Sequence, residues 1–148
     1  MGEENFYVTY KYILAAIFAW IVAQGLKYVF SKYSKKSMRT YRHLYISGGM
    51  PSAHSATVMA VSILIGLTEG FGTSIFALSL LLATIVMYDA MMVRRSVGEQ
   101  GEVLIEMIKK SNKNSGHLPY FARGHKPIEV FCGAVLGCIV AIIFYILV

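Results

Sequence analysis

Apolar residues run along this chain in long blocks rather than in alternation. Four blocks stand out: Tyr12 to Phe30, His54 to Leu67 with a lead-in at Pro51, Thr73 to Val93, and Pro127 to Val148. A hydrocarbon core about 30 Å thick takes about 20 residues of apolar helix, so each block is expected to cross a bilayer, the second only if its helix starts near Pro51. A further pattern differs in kind. Val97, Gly101, Leu104, Ile105 and Ile108 recur every three or four residues opposite Glu99, Glu102, Glu106 and Lys109, which predicts an amphipathic helix lying along the interface or capping the bundle. Ser111 to Gly116 reads as a loop.

Composition agrees with the pattern, since 56% of the 148 residues are apolar and only 15% charged. An ordinary soluble domain of this size is excluded. The expected fold is an all-α integral membrane helical bundle of about four transmembrane helices plus the amphipathic helix, in one domain over residues 1–148. Glu3 and Glu4, rather than a basic run, precede the first block, and no small-residue cleavage site follows it, so the block reads as mature structure and not as a signal peptide. Cys132 and Cys138 lie six apart inside the last block, without the spacing or polar neighbours of a metal or redox site, and no cofactor is expected.

Charge adds topology. Lys32, Lys35, Lys36, Arg39 and Arg42 separate the first and second blocks, and Arg94, Arg95, Lys109, Lys110, Lys113, Arg123 and Lys126 separate the third and fourth. The turn from Glu69 to Gly72 has no basic residue. Four spans put both basic loops on one side, which the positive-inside rule makes the cytoplasmic face of the cell membrane. Span parity then brings three phrases to that same face: Pro51 to His54, Asp89 to Arg95, and His125 to Glu129.

Those phrases carry the candidate chemistry. Gly48, Gly49 and Ser52 precede a helix start, where unpaired N–H groups and the positive end of the dipole attract an anion, and His54 in the first turn can hand a proton to a departing alkoxide. Glu129 is four residues beyond His125, a spacing that lets the carboxylate hold one imidazole nitrogen while the other faces the site as a nucleophile. Arg94 and Arg95 offer guanidinium forks for phosphoryl oxygens, and Asp89 in the same apolar block calls for a cationic partner. The bland alternatives are a capped helix, a structural His–carboxylate pair, and arginines snorkelling to headgroups.

The runs SGGMPSAHSA, YDAMMVRRSVGEQ and GHKPIEVFCGAVLG resemble the divergent branch of the type 2 phosphatidic acid phosphatase family, a likeness that extends from about Trp20 onward. The resemblance implies a membrane lipid phosphatase acting on a phosphomonoester or pyrophosphate through a phosphohistidine. His125 takes the nucleophile's place, His54 the acid's and Glu129 that of the orienting carboxylate, while Ser52 would bind a phosphate oxygen. The parent pattern's arginine six residues before His125 is replaced by Pro119, so Arg94, Arg95 or Arg123 must supply it. Lys35 and Arg42 have the spacing of the parent's first pattern, with His43 in place of its proline.

Two rival classes share these residues: a non-catalytic lipid-phosphate binder or carrier, and a structural subunit of a membrane complex. The expected partners are a lipid phosphate or pyrophosphate and the bilayer, with no nucleic acid. Gly133 and Gly137 have a helix-packing spacing that suits either a homodimer or the chain's own bundle.

Overall fold

A computed structural model describes residues 2–33, 49–111 and 124–147, and every regular element among them is helical. The elements are α1 (Gly2–Tyr33), α2 (Ala53–Glu69), α3 (Ser74–Tyr88), a π-helical turn (Asp89–Val93), α4 (Arg94–Lys110) and α5 (Pro127–Leu147). Three helical stretches are long and apolar enough to span a membrane: Tyr10–Phe30, Ser74–Lys110 and Pro127–Leu147.

The apolar helix outside those three stretches, α2, is the innermost. With 17 residues, α2 rises about 25 Å at about 1.5 Å per residue, somewhat less than a hydrocarbon core. It packs against α5, α1 and α3, so protein rather than lipid meets most of its surface. Its neighbours approach closely because the contact residues are small. Ala15, Ala19 and Ala23 form a stripe on α1 at four-residue intervals, fully buried, and meet Ala53, Ala56, Ala60 and Leu64 of α2 in clusters shared with Val140 and Ala141 of α5. Small-residue packing is the usual substitute for a hydrophobic driving force inside a membrane.

Gly133 and Gly137 serve this same intramolecular contact. A Cβ at Gly133 would lie 2.3 Å from the carbonyl oxygen of Ser52, and one at Gly137 would lie 2.4 Å from that of Ala56. The glycine face of α5 is thus spent on α2. Of the two uses that the Gly133 and Gly137 spacing suits, the structure shows the one within the chain's own bundle.

Polar contacts fasten the helices. Ser62 Oγ donates to the carbonyl of Ser79 at 2.9 Å between α2 and α3, and the Tyr12 hydroxyl donates to Glu69 Oε1 at 2.7 Å between α1 and α2. Thr73 caps α3 by accepting the Phe76 N–H at 3.4 Å, just after Gly70, whose φ of 102° ends α2.

The amphipathic helix predicted from Val97 to Ile108 is present as α4, but it does not stand apart from the third span. Helical backbone runs unbroken from Ser74 to Lys110, 37 residues, through the π turn. At about 55 Å this helix exceeds a bilayer with its headgroups, so α4 extends past the apolar core.

Candidate functional site

Helix starts and ends gather at one end of the bundle: the beginning of α2, the π turn, the beginning of α5 and the later turns of α1. Ser52 opens α2. Its Oγ accepts from the N–H of Ser55 at 3.4 Å and from the Ser55 hydroxyl at 3.0 Å, and its own N–H donates to the carbonyl of Glu129 at 2.9 Å. Ser52 is wholly buried. Its side chain caps the start of α2, and its backbone N–H joins α2 to α5. Gly49 precedes it with a φ of 93°, and a Cβ there would sit 3.0 Å from Lys27 Cε. His54 projects from the first turn of α2 and is exposed.

α5 begins in the manner its sequence dictates, with Pro127 at the first helical position and Glu129 at the third. Glu129 Oε2 accepts the N–H of Lys126 at 3.1 Å. Where a hold of Glu129 on the His125 imidazole is predicted, the structure shows this capping bond and no hydrogen bond to His125 Nδ1 among the described residues. His125 is 3% exposed, and its Nδ1 has no hydrogen-bond partner among the described residues. Burial above all, then the positive charges of Lys27, His54 and Arg94, holds the imidazole down to about 4, so it is neutral at pH 7.

The π turn seats this histidine. The Arg94 N–H reaches back five residues to the carbonyl of Asp89, whereas in an α-helix it would take that of Ala90. The Ala90 carbonyl accepts the His125 N–H at 3.0 Å. Arg94 Nε also donates to Asp89 Oδ2 at 2.8 Å, which identifies the partner that Asp89 called for, though both side chains are partly exposed. Arg95 pairs with Glu99 at 3.0 Å. Its backbone meets Gly124, where a Cβ would lie 2.3 Å from the Arg95 nitrogen, so only glycine lets the His125 segment lie this close to α4.

A groove of about 670 Å³ opens between α4 and the start of α5, lined by Arg95, Gly98, Glu99, Glu102, Gly124, His125, Lys126, Pro127 and Ile128. Lys35, Arg42, Gly48 and Arg123 lie outside the described residues. Lys27 is the residue that charge counting passed over. It continues the stripe of Ala15, Ala19 and Ala23 by one more four-residue step, and its charge acts on His54, His125 and Glu129. The signal was a lysine on the inward face of a span. Among the described residues no group of three or more His, Cys, Asp or Glu side chains is placed to hold a metal ion.

The sequence model of the Divergent PAP2 family matches residues 8–140. The chain belongs to that family. It is also 32% identical over 145 residues to the uncharacterized membrane protein YuiD of Bacillus subtilis (strain 168), covering 88% of this chain and 89% of that one. No solved structure matches it. Family membership agrees with the resemblance carried by the three phrases and suggests a phosphatase-related role in a membrane.

Proposed function

We propose that this protein hydrolyses a phosphomonoester or pyrophosphate on a lipid, with His125 as nucleophile and His54 as general acid. The observation that carries the reading is His125 itself: a neutral imidazole, buried and with Nδ1 unbonded among the described residues, lining a groove within electrostatic reach of a second histidine, a lysine and an arginine. A neutral ring is the nucleophilic form.

In the first step a ring nitrogen of His125 attacks phosphorus and the bond to the leaving oxygen breaks. His54 gives that oxygen its proton. Water then attacks the phosphohistidine, His54 takes a proton from the water, and inorganic phosphate leaves. Lys27 and Arg94 stabilise the charge on the five-coordinate transition state, and Asp89 holds Arg94 in place. Glu129 contributes by fixing the helix start that carries His125. The basic loops favour the cytoplasmic face of the cell membrane for this site.

Phosphate release by the purified protein from a panel of lipid phosphates, with vanadate as inhibitor, tests the reading. Turnover blocked by vanadate supports it; vanadate binding without turnover on any member sinks it in favour of a lipid-phosphate binder. One observation favours that second reading: Glu129 and Ser52, two of the residues expected at a catalytic centre, are engaged in helix capping.

A further inference from the structure

Among the described residues α4 packs chiefly on the π turn that leads into it, and Val97, Leu104 and Met107 along its apolar stripe are each at least half exposed. From Ser74, about 20 residues cross a hydrocarbon core and about five more its headgroups, so the part of α4 from Gly101 onward stands in water. A helix that keeps its backbone hydrogen bonds through a π turn kinks there but does not fold over to lie flat on the bilayer. Apolar side chains so placed call for a cover.

The spacing along the stripe says what cover fits. Val97, Gly101, Leu104 and Ile108 follow one another by four, three and four residues, which is the seam of a two-stranded coiled coil. The positions that flank such a seam are Gly98, Gln100, Ile105 and Met107, and none of them is charged. Every charge from Arg95 to Lys110 falls elsewhere, on Arg95, Glu99, Glu102, Glu106, Lys109 and Lys110. Within the helix Arg95 pairs with Glu99 at 3.0 Å and Lys110 with Glu106 at 2.7 Å. Arg94, one heptad before Gly101, is held by Asp89. A partner that binds by opposite charge has nothing to grip beside this seam, and an anionic lipid surface finds no basic flank. An identical helix meets no like charge.

The membrane fixes the remaining geometry. Two copies inserted in one bilayer share an orientation, so their α4 helices run parallel, and a two-fold axis along the membrane normal sets each residue of the stripe against its own counterpart. Two heptads make a weak pair in free solution, but confinement to a membrane raises the effective concentration. We propose that α4 is the dimerisation helix of this protein, pairing with α4 of a second copy through Val97, Gly101, Leu104 and Ile108. Arg95, Glu99 and Glu102, which line the groove beside His125, lie on another side of the helix, so the pair leaves both grooves open whatever they bind.

Cysteine cross-linking of the full-length protein in membranes of the expressing cells tests the pairing. Leu104→Cys should give a disulfide-linked dimer on mild oxidation, because identical seam positions meet. Glu106→Cys, on the far side of α4, should give no more than the wild type, whose Cys132 and Cys138 lie within α5. Val97→Gln and Ile108→Gln, added to Leu104→Cys, should remove most of the cross-linked product. Absence of cross-linking at Leu104 overturns the proposal, as does equal cross-linking at both positions. A product undiminished by the two glutamines overturns it as well, and should that triple variant fail to fold, the contrast between Leu104 and Glu106 decides alone. Leu104→Cys that stays uncross-linked and shielded from a water-soluble maleimide, while Glu106→Cys reacts, would give the stripe to the bilayer instead.

Discussion

The backbone N–H of His125 donates to the carbonyl of Ala90 at 3.0 Å, tying the start of α5 to the π turn that follows α3. Two irregularities explain each other here. The extra residue in the turn sends the Arg94 N–H to Asp89, and the Ala90 carbonyl receives its hydrogen bond from the segment that presents the histidine.

His125→Ala should remove phosphate release by several orders of magnitude, as loss of a nucleophile does. The bond to Ala90 is made by backbone and survives the change, so helicity by circular dichroism should stay at the wild-type level. Near-normal release from a folded variant would exclude His125 as nucleophile.

The pH dependence has a definite direction. His125 binds its proton near 4 in the folded protein and near 6.5 when unfolded, so between those values the unfolded chain binds more protons and stability rises with pH. Above about 6.5 this contribution is fully present, and as pH falls through 4 it is lost, in all on the order of 3 kcal/mol. Urea unfolding in detergent at pH 7 and pH 4.5 should show the drop, and His125→Gln should flatten it. An equal slope in both proteins would place the titration elsewhere.

Arg94 and Arg95 should differ. Arg94 is held by Asp89 and its charge reaches both histidines, while Arg95 is paired with Glu99 on the α4 wall. Arg94→Ala should weaken vanadate or phosphate affinity by about 10- to 100-fold, the range for loss of a charge-assisted hydrogen bond, and Arg95→Ala by less than about threefold. Titration calorimetry separates the two; a larger loss at Arg95 would reverse the assignment.

Gly133→Leu should destabilise the bundle by at least about 3 kcal/mol, since even a Cβ would meet the Ser52 carbonyl at 2.3 Å and the α2–α5 contact would have to open. Thermal unfolding in mild detergent measures the loss. A variant with wild-type stability and a halved particle mass would return these glycines to an interface between copies.

Much of this molecule is legible in one dimension. The apolar blocks, the Pro127 and Glu129 start of α5, the Ser52 cap and the alanine stripe of α1 are local signals, because a helix is made of bonds between residues three to five apart and buries a face set by its own period. The spacing of His125 and Glu129 was legible too, but it fitted two partners. Only the folded chain decided for the Lys126 N–H, an unpaired donor at the helix start with a prior claim on the carboxylate. The π turn left no mark in the sequence, since its displaced carbonyl is satisfied by His125 from the distant segment that leads into α5. Lys27 likewise became part of the site when α1 packed its alanines on α2, and Gly133 and Gly137 became internal when α5 closed on the same helix. Sequence determined which segments form helices and which residues could do chemistry; packing between helices, which depends on distances no single segment contains, decided which of them meet.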